Sequence, residues 1–214
     1  NNMARQNSQL APSSRDELVR ELRRSRRRIN IFRDIAVADQ ASVLEVAPPA
    51  LQRKIFTGLH NDEIIALLNP LDLGCGLGVV GIAAALRGAT VVSADIRPEA
   101  IRLVTHNAAR NGAQLTARVV DFHEPPEDLG LFDGILGADI LYDDGMLRGV
   151  LRFIRRHLAP DGLAILADPM RVLPGGVAGA ARLSGLEVSS TVLRPGTVVS
   201  GGITLYELWR RRPS

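Results

Sequence analysis

The sequence predicts an α/β fold: a doubly wound, mainly parallel seven-stranded sheet with a reversed last strand, preceded by a small helical segment. Three observations predict it. From Leu71 onward, short apolar runs alternate with helix-length segments, the pattern of a parallel sheet covered by helices. The first strand runs into a glycine-rich turn, Gly74-Cys75-Gly76-Leu77-Gly78. The last two strand-like runs, Glu187–Leu193 and Ile203–Trp209, have no helix-sized segment between them. They must therefore pair antiparallel, because a parallel pair needs a longer crossover.

The elements follow in order. Leu71–Leu73 is a strand, and Val79–Leu86, apolar on most sides, is a helix packed on the sheet. Thr90–Ala94 is the second strand. Pro98–Asn111 is a helix, with Pro98 in its first turn and Gly112 just past its end. Leu115–Val120 and Phe132–Ala138 are the third and fourth strands. Met146–Leu158 is a helix with Ile154 and Leu158 on its apolar face, followed by a turn at Pro160-Asp161-Gly162. Leu163–Ala167 is the fifth strand, and Val177–Ser184 is a short helix before the final pair.

Residues 1–14 are polar and read as a frayed tail. Ser14 predicts an N-cap for a helix from Arg15, with Glu17 completing a capping box. That helix carries Leu18, Leu22 and the cluster Arg23, Arg24, Arg26, Arg27 and Arg28. A second helix spans Asn30–Val46 and is broken by Pro48 and Pro49. A third carries Leu51, Ile55 and Phe56 as far as Gly58, and a fourth covers Asp62–Leu68. The organisation expected is a helical segment or cap over residues 1–69 and an α/β domain over 70–214.

With 214 residues, 46% of them hydrophobic, the chain can bury one substantial core. No apolar run reaches the roughly 18–20 residues that span a bilayer, and no secretory leader pattern opens the chain. The single cysteine, Cys75, fits a reducing compartment. A cytoplasmic protein without a membrane partner is expected. His106, His123 and His157 are scattered without metal-ligand spacing, so no metal is expected. Residues 1–69 carry 11 Lys+Arg against 8 Asp+Glu, and residues 70–214 carry 15 of each. The second part thus has no net field for a polyanion. The N-terminal arginines read as a solvated helix face, and no nucleic-acid partner is expected.

The glycine turn lets a ligand approach the backbone, and the helix beyond it offers unpaired N–H groups to a carboxylate or a phosphate. Asp72 precedes the turn and is placed to attract an ammonium group. Asp95 ends the second strand, 21 residues after Gly74, where an acid can accept from both ribose hydroxyls. Asp121 ends the third strand and can accept from an adenine amino group, with Phe122 beside the ring. Three acids closing three successive strands face one edge of the sheet, where open α/β sheets bind ligands. Gly76, Gly78 and Gly81 also satisfy G-x-G-x-x-G, so a dinucleotide remains an alternative ligand. Against it, Asp72 sits where a pyrophosphate would be repelled.

The runs Leu71–Gly78, Ala94-Asp95 and Gly137-Ala138-Asp139-Ile140-Leu141-Tyr142 closely resemble the class I, or seven-β-strand, methyltransferases, which have a Rossmann-like sheet. The last run, with Ala167-Asp168-Pro169-Met170-Arg171 and the closing Ile203-Thr204-Leu205-Tyr206, resembles the branch of protein lysine methyltransferases and their bacterial relatives. The resemblance implies an enzyme that transfers methyl groups from S-adenosylmethionine to a nitrogen, with a protein lysine as acceptor and a small molecule as the alternative acceptor. It implies cofactor contacts at Asp72, Gly74, Cys75, Gly76, Gly78, Asp95, Ile96, Asp121, Phe122 and Asp139. Asp139 is expected beside the reacting methyl group, and Tyr142 at the substrate entrance. Residues 1–70 lack the Trp-Pro segment of that branch, and Pro70 opens the first strand. Those departures motivate a further alternative, a degenerate methyltransferase fold serving as a binding scaffold.

Overall fold

In the computed structural model, the described residues are 11–35, 39–40, 43, 46–48, 50–51, 55, 68–169, 176–193 and 202–211. The chain divides into two compact units, residues 1–68 with 87–90, and residues 69–86 with 91–214.

In the first unit, α1 (Pro12–Arg24) and α2 (Arg28–Arg33) are followed by short helical stretches. The helix expected from Arg15 starts earlier. Pro12 stands in its first turn after Ala11, and no side chain caps it. Proline's fixed φ suits that position, and its missing N–H is one that no helix start would satisfy. The expected Asn30–Val46 helix is also interrupted. α2 ends at Arg33 with a bend at Ile35, and Gln40 Nε2 donates to the freed Ile35 carbonyl at 2.7 Å. Leu22, Phe32, Val43 and Ile55 are fully buried and form a small core with Val19, Ala47 and Leu51. Gly58 and residues 62–67 lie outside the described residues.

The second unit is a single seven-stranded sheet in the order β3-β2-β1-β4-β5-β7-β6. Its strands are β1 (Pro70–Leu73), β2 (Val92–Asp95), β3 (Thr116–Val119), β4 (Phe132–Ala138), β5 (Leu158–Asp168), β6 (Leu186–Leu193) and β7 (Ile203–Arg210). β1 to β5 pair in parallel, while β7 runs antiparallel to both β5 and β6. The connecting helices are α3 (Val79–Ala85), α4 (Pro98–Arg110), α5 (Asp144–His157) and α6 (Val177–Leu183).

Pro70 occupies the first residue of β1 and pairs with Gly134 of β4, while pairing to β2 begins one residue later at Leu71. That is a position where a strand tolerates proline. The expected Pro160-Asp161-Gly162 turn is an excursion inside β5, where the register jumps from Phe132 opposite Leu158 to Gly134 opposite Leu163. α5 buries Leu147, Val150, Leu151 and Ile154 on one stripe at helical spacing. They join Leu71, Ile135, Leu158, Ala164 and Leu208 in the main core. Each such side chain contributes about 1.5–3 kcal/mol by leaving water.

Candidate active site

The carboxyl ends of β1, β2, β3 and β4 converge on one cavity of about 880 Å³. After β1 the chain turns through Gly74, Gly76 and Gly78, with φ of +67°, +50° and +86°. Side-chain-bearing residues avoid those angles, so glycine is required here. Gly78 caps α3, and its N–H donates to the Cys75 carbonyl at 2.7 Å. The Cys75 N–H ties the loop to β2 by donating to Ala94 O at 3.0 Å. A Cβ added at Gly76 would meet nothing within 4 Å, so this backbone stays open to a ligand.

Asp95 closes β2 half-exposed. Its Oδ2 accepts from Gly76 N–H and its Oδ1 from Arg97 N–H, both at 3.0 Å. A carboxylate has about four lone-pair sites, so the two backbone bonds orient the group and leave capacity for a bound diol.

Just past the end of β4 stands Asp139, whose φ of +56° is the only positive value at a non-glycine among the described residues. Left-handed backbone outside glycine is strained by roughly 1–2 kcal/mol, and such strain clusters at functional sites. The turn is pinned by Asp139 N–H donating to Ala167 O at 2.8 Å. Asp143, not Asp139, caps α5, accepting from Met146 N–H at 2.8 Å. Asp139 and Tyr142 therefore remain on the cavity wall.

Of the residues expected from the sequence, the cavity brings together Gly74, Cys75, Gly76, Asp95, Ile96, Phe122, Asp139 and Tyr142. Asp72, Gly78 and Asp121 do not line it. Asp72 is 3% exposed and turned into the sheet–helix interface. Its Oδ2 accepts from Gly81 N–H at 2.9 Å and lies 3.5 Å from the Ser93 hydroxyl. Burial outweighs those bonds and, with the nearby Asp95 charge, raises its pKa to about 6. The Asp72 carboxyl, expected at an ammonium group, thus lies outside the cavity lining on a bond that fixes α3 on β1. Gly78 supports α3 from behind, against Val104. The Asp121 Oδ1 accepts from His123 N–H at 2.8 Å and builds the local turn. Burial pushes the Cys75 thiol up to about 12, so it stays protonated at neutral pH.

Sequence reading did not anticipate Leu77, Val79, Arg97, Glu99, Leu103, Val120 or Met146 on the cavity wall. Leu77, Val79 and Leu103 are large apolar side chains more than two-fifths exposed. Leu77 lies inside the glycine turn, Val79 follows it and Leu103 sits on α4, and exposure of an apolar residue is not readable from periodicity alone.

The sheet order separates this chain from the dinucleotide folds. A strand inserted antiparallel between the fifth and sixth departs from their 3-2-1-4-5-6 order. Residues 66–191 match the family described as a methyltransferase domain, and the chain belongs to that family. The protein-lysine N-methyltransferase rrg1 of Schizosaccharomyces pombe is 29% identical over 125 residues, covering 51% of this chain and 41% of its own length. The ribosomal protein L11 methyltransferase of Methylococcus capsulatus is 35% identical over 137 residues, covering 62% of this chain and 44% of its own. The chain thus spans less than half the length of these two relatives. A TehB-like SAM-dependent methyltransferase of Corynebacterium glutamicum shares the fold, with a TM-score of 0.56 at 19% identity over 94% of this chain and all of that one.

Proposed function

We propose that the protein transfers a methyl group from S-adenosylmethionine to a nitrogen nucleophile, namely the amine of a protein lysine side chain. One observation carries this reading: a single cavity has a glycine loop with an oriented acid, Asp95, on one wall and a strained acid, Asp139, on another. The residues present fit the cofactor. Asp95 would hold the ribose hydroxyls, the open backbone at Gly74 and Gly76 the methionine end, and Ile96 and Phe122 the adenine. The bound cofactor supplies an activated methyl group, so the protein's task is alignment. Asp139 would accept a hydrogen bond from the incoming amine and stabilise the charge building on nitrogen. Tyr142, 56% exposed, would shape the entrance.

Both relatives above are named for methylating proteins, which supports a protein acceptor. No helix among the described residues is long and apolar enough to cross a membrane, and no metal-binding cluster occurs among them. A reducing, cytoplasmic setting belongs to the same proposal and is supported by the lone buried thiol.

Calorimetry with S-adenosylmethionine and with NAD tests the cofactor. Micromolar binding of the first alone is expected, whereas NAD binding, or none to either, refutes the reading. Methyl transfer from radiolabelled cofactor to lysine-containing polypeptides tests the acceptor. Label confined to small molecules would remove lysine from it.

A further inference from the structure

The zero net charge of residues 70–214 conceals a segregation of charge. Asp95, Asp121, Asp139 and Asp143 all lie at the carboxyl ends of strands or just beyond them. The outer surface of α5 and α6 has the opposite sign. Arg148, Arg152, Arg155 and Arg156 are exposed on α5, and Arg182 is exposed on α6 beside it. Spacings of four and three residues put the α5 arginines on one face of the helix. No acid occurs between Gly145 and Pro160 or between Gly176 and Leu186. None of these five guanidinium groups forms an ion pair with another described residue.

The surrounding contacts extend the patch. Arg155 lies against Gly185 in the turn after α6. Arg210 Nη2 donates to Arg156 O at 3.3 Å, which brings a sixth arginine to the same surface. Glu187, two residues past Gly185, is engaged at 2.7 Å by Arg211, and Asp144 at the start of α5 forms no ion pair with Arg148. Like charges held together without partners repel one another, and an anionic ligand relieves that repulsion.

We propose that the outer face of α5 and α6 docks the phosphate backbone of a nucleic-acid duplex through Arg148, Arg152, Arg155, Arg156 and Arg182. Guanidinium groups pair with phosphate oxygens in bidentate fashion. The four-residue step from Arg148 to Arg152 places them about 6 Å apart along the helix axis, so the row follows successive phosphates. The aromatic rings of α5, Phe153 and His157, are buried, so this face offers nothing on which an unpaired base can stack. Backbone contact with a duplex is what remains. Leu183 is 92% exposed but stands alone beside Arg182, whereas membrane-surface helices carry a continuous apolar face. α1 is a poorer candidate, because Asp16, Glu17 and Glu21 are interleaved with its arginines.

Fluorescence anisotropy of a labelled RNA duplex with the full chain tests the proposal. Affinity should fall with salt between 50 and 200 mM with a log–log slope of about −4. The double substitution Arg152→Glu with Arg155→Glu should weaken binding at least about tenfold and flatten the slope by about 2. Its thermal transition and its calorimetric binding of S-adenosylmethionine should stay unchanged, so failure here is separate from failure of the proposed reaction. Arg23→Glu with Arg24→Glu should leave duplex affinity unchanged. Loss confined to the α1 variant would overturn the proposal. So would displacement of the duplex by polyglutamate of equal charge, or by vesicles containing phosphatidylserine.

Discussion

The Gly76 N–H donates to Asp95 Oδ2 at 3.0 Å, so the loop proposed to receive one end of the cofactor also aims the acid proposed to receive the other. Hydrogen bonds to a charged group contribute about 1.5–3 kcal/mol each. Asp95→Ala should therefore weaken S-adenosylmethionine binding by about 10- to 100-fold. Asp95→Asn should fall between, since it keeps an acceptor but loses the charge. Calorimetry on folded variants decides this, and unchanged affinity for the alanine variant would take Asp95 out of the site.

At Asp139, with φ +56°, the proposed role in methyl transfer is set against backbone stability. Glycine adopts that backbone without strain, so Asp139→Gly should raise the unfolding free energy by about 0.5–1 kcal/mol. Asp139→Ala should lower it by a similar amount, because alanine tolerates the left-handed region less well than aspartate. Both should keep cofactor affinity within a few fold and lose methyl transfer. Urea unfolding beside a turnover assay separates the two effects. An active glycine variant would show that the carboxyl group takes no part in the reaction.

The alternation of strands and helices, the reversed closing strand and the glycine turn were legible because each rests on local periodicity or on a backbone demand that only glycine meets. Asp95 was legible because a strand end at fixed distance from the loop places it. Asp72 and Asp121 were not, since both occupy strand ends and only side-chain rotation distinguishes a ligand contact from an internal bond. Asp72 turns to Gly81, and Asp121 to His123. The break after α2 was hidden because the hydrogen bond from Gln40 to Ile35 that stabilises it spans a stretch whose composition reads as continuous helix.

Gly81 packs α3 closely against the sheet. A Cβ there would clash with Ser93 Oγ and lie 2.7 Å from Asp72 Oδ2. Both residues are buried and cannot move aside into solvent. Gly81→Ala should destabilise the fold by about 1–3 kcal/mol through overpacking. Adding Ser93→Ala should restore only part of that loss, because the clash with Asp72 persists. A denaturant midpoint unchanged in Gly81→Ala would show that α3 shifts freely on the sheet.

The Asp72 carboxyl makes stability depend on pH in the direction opposite to an ion-paired acid. Its pKa is about 6 in the folded protein against 3.8 for the free side chain. Between those values the folded state holds a proton that the unfolded state has released. Its contribution is therefore fully present below about pH 4 and is lost as pH rises through about 6. Asp72→Asn keeps an acceptor for Gly81 N–H and has no charge to desolvate. The unfolding free energy of the Asn variant relative to the native protein should rise between pH 4 and pH 7 by about 3 kcal/mol, then level off. Urea titrations of both proteins across that range measure the difference and cancel the titration of other groups. A difference that is flat with pH, or that falls as pH rises, would mean that Asp72 is ionised and solvated in the folded chain.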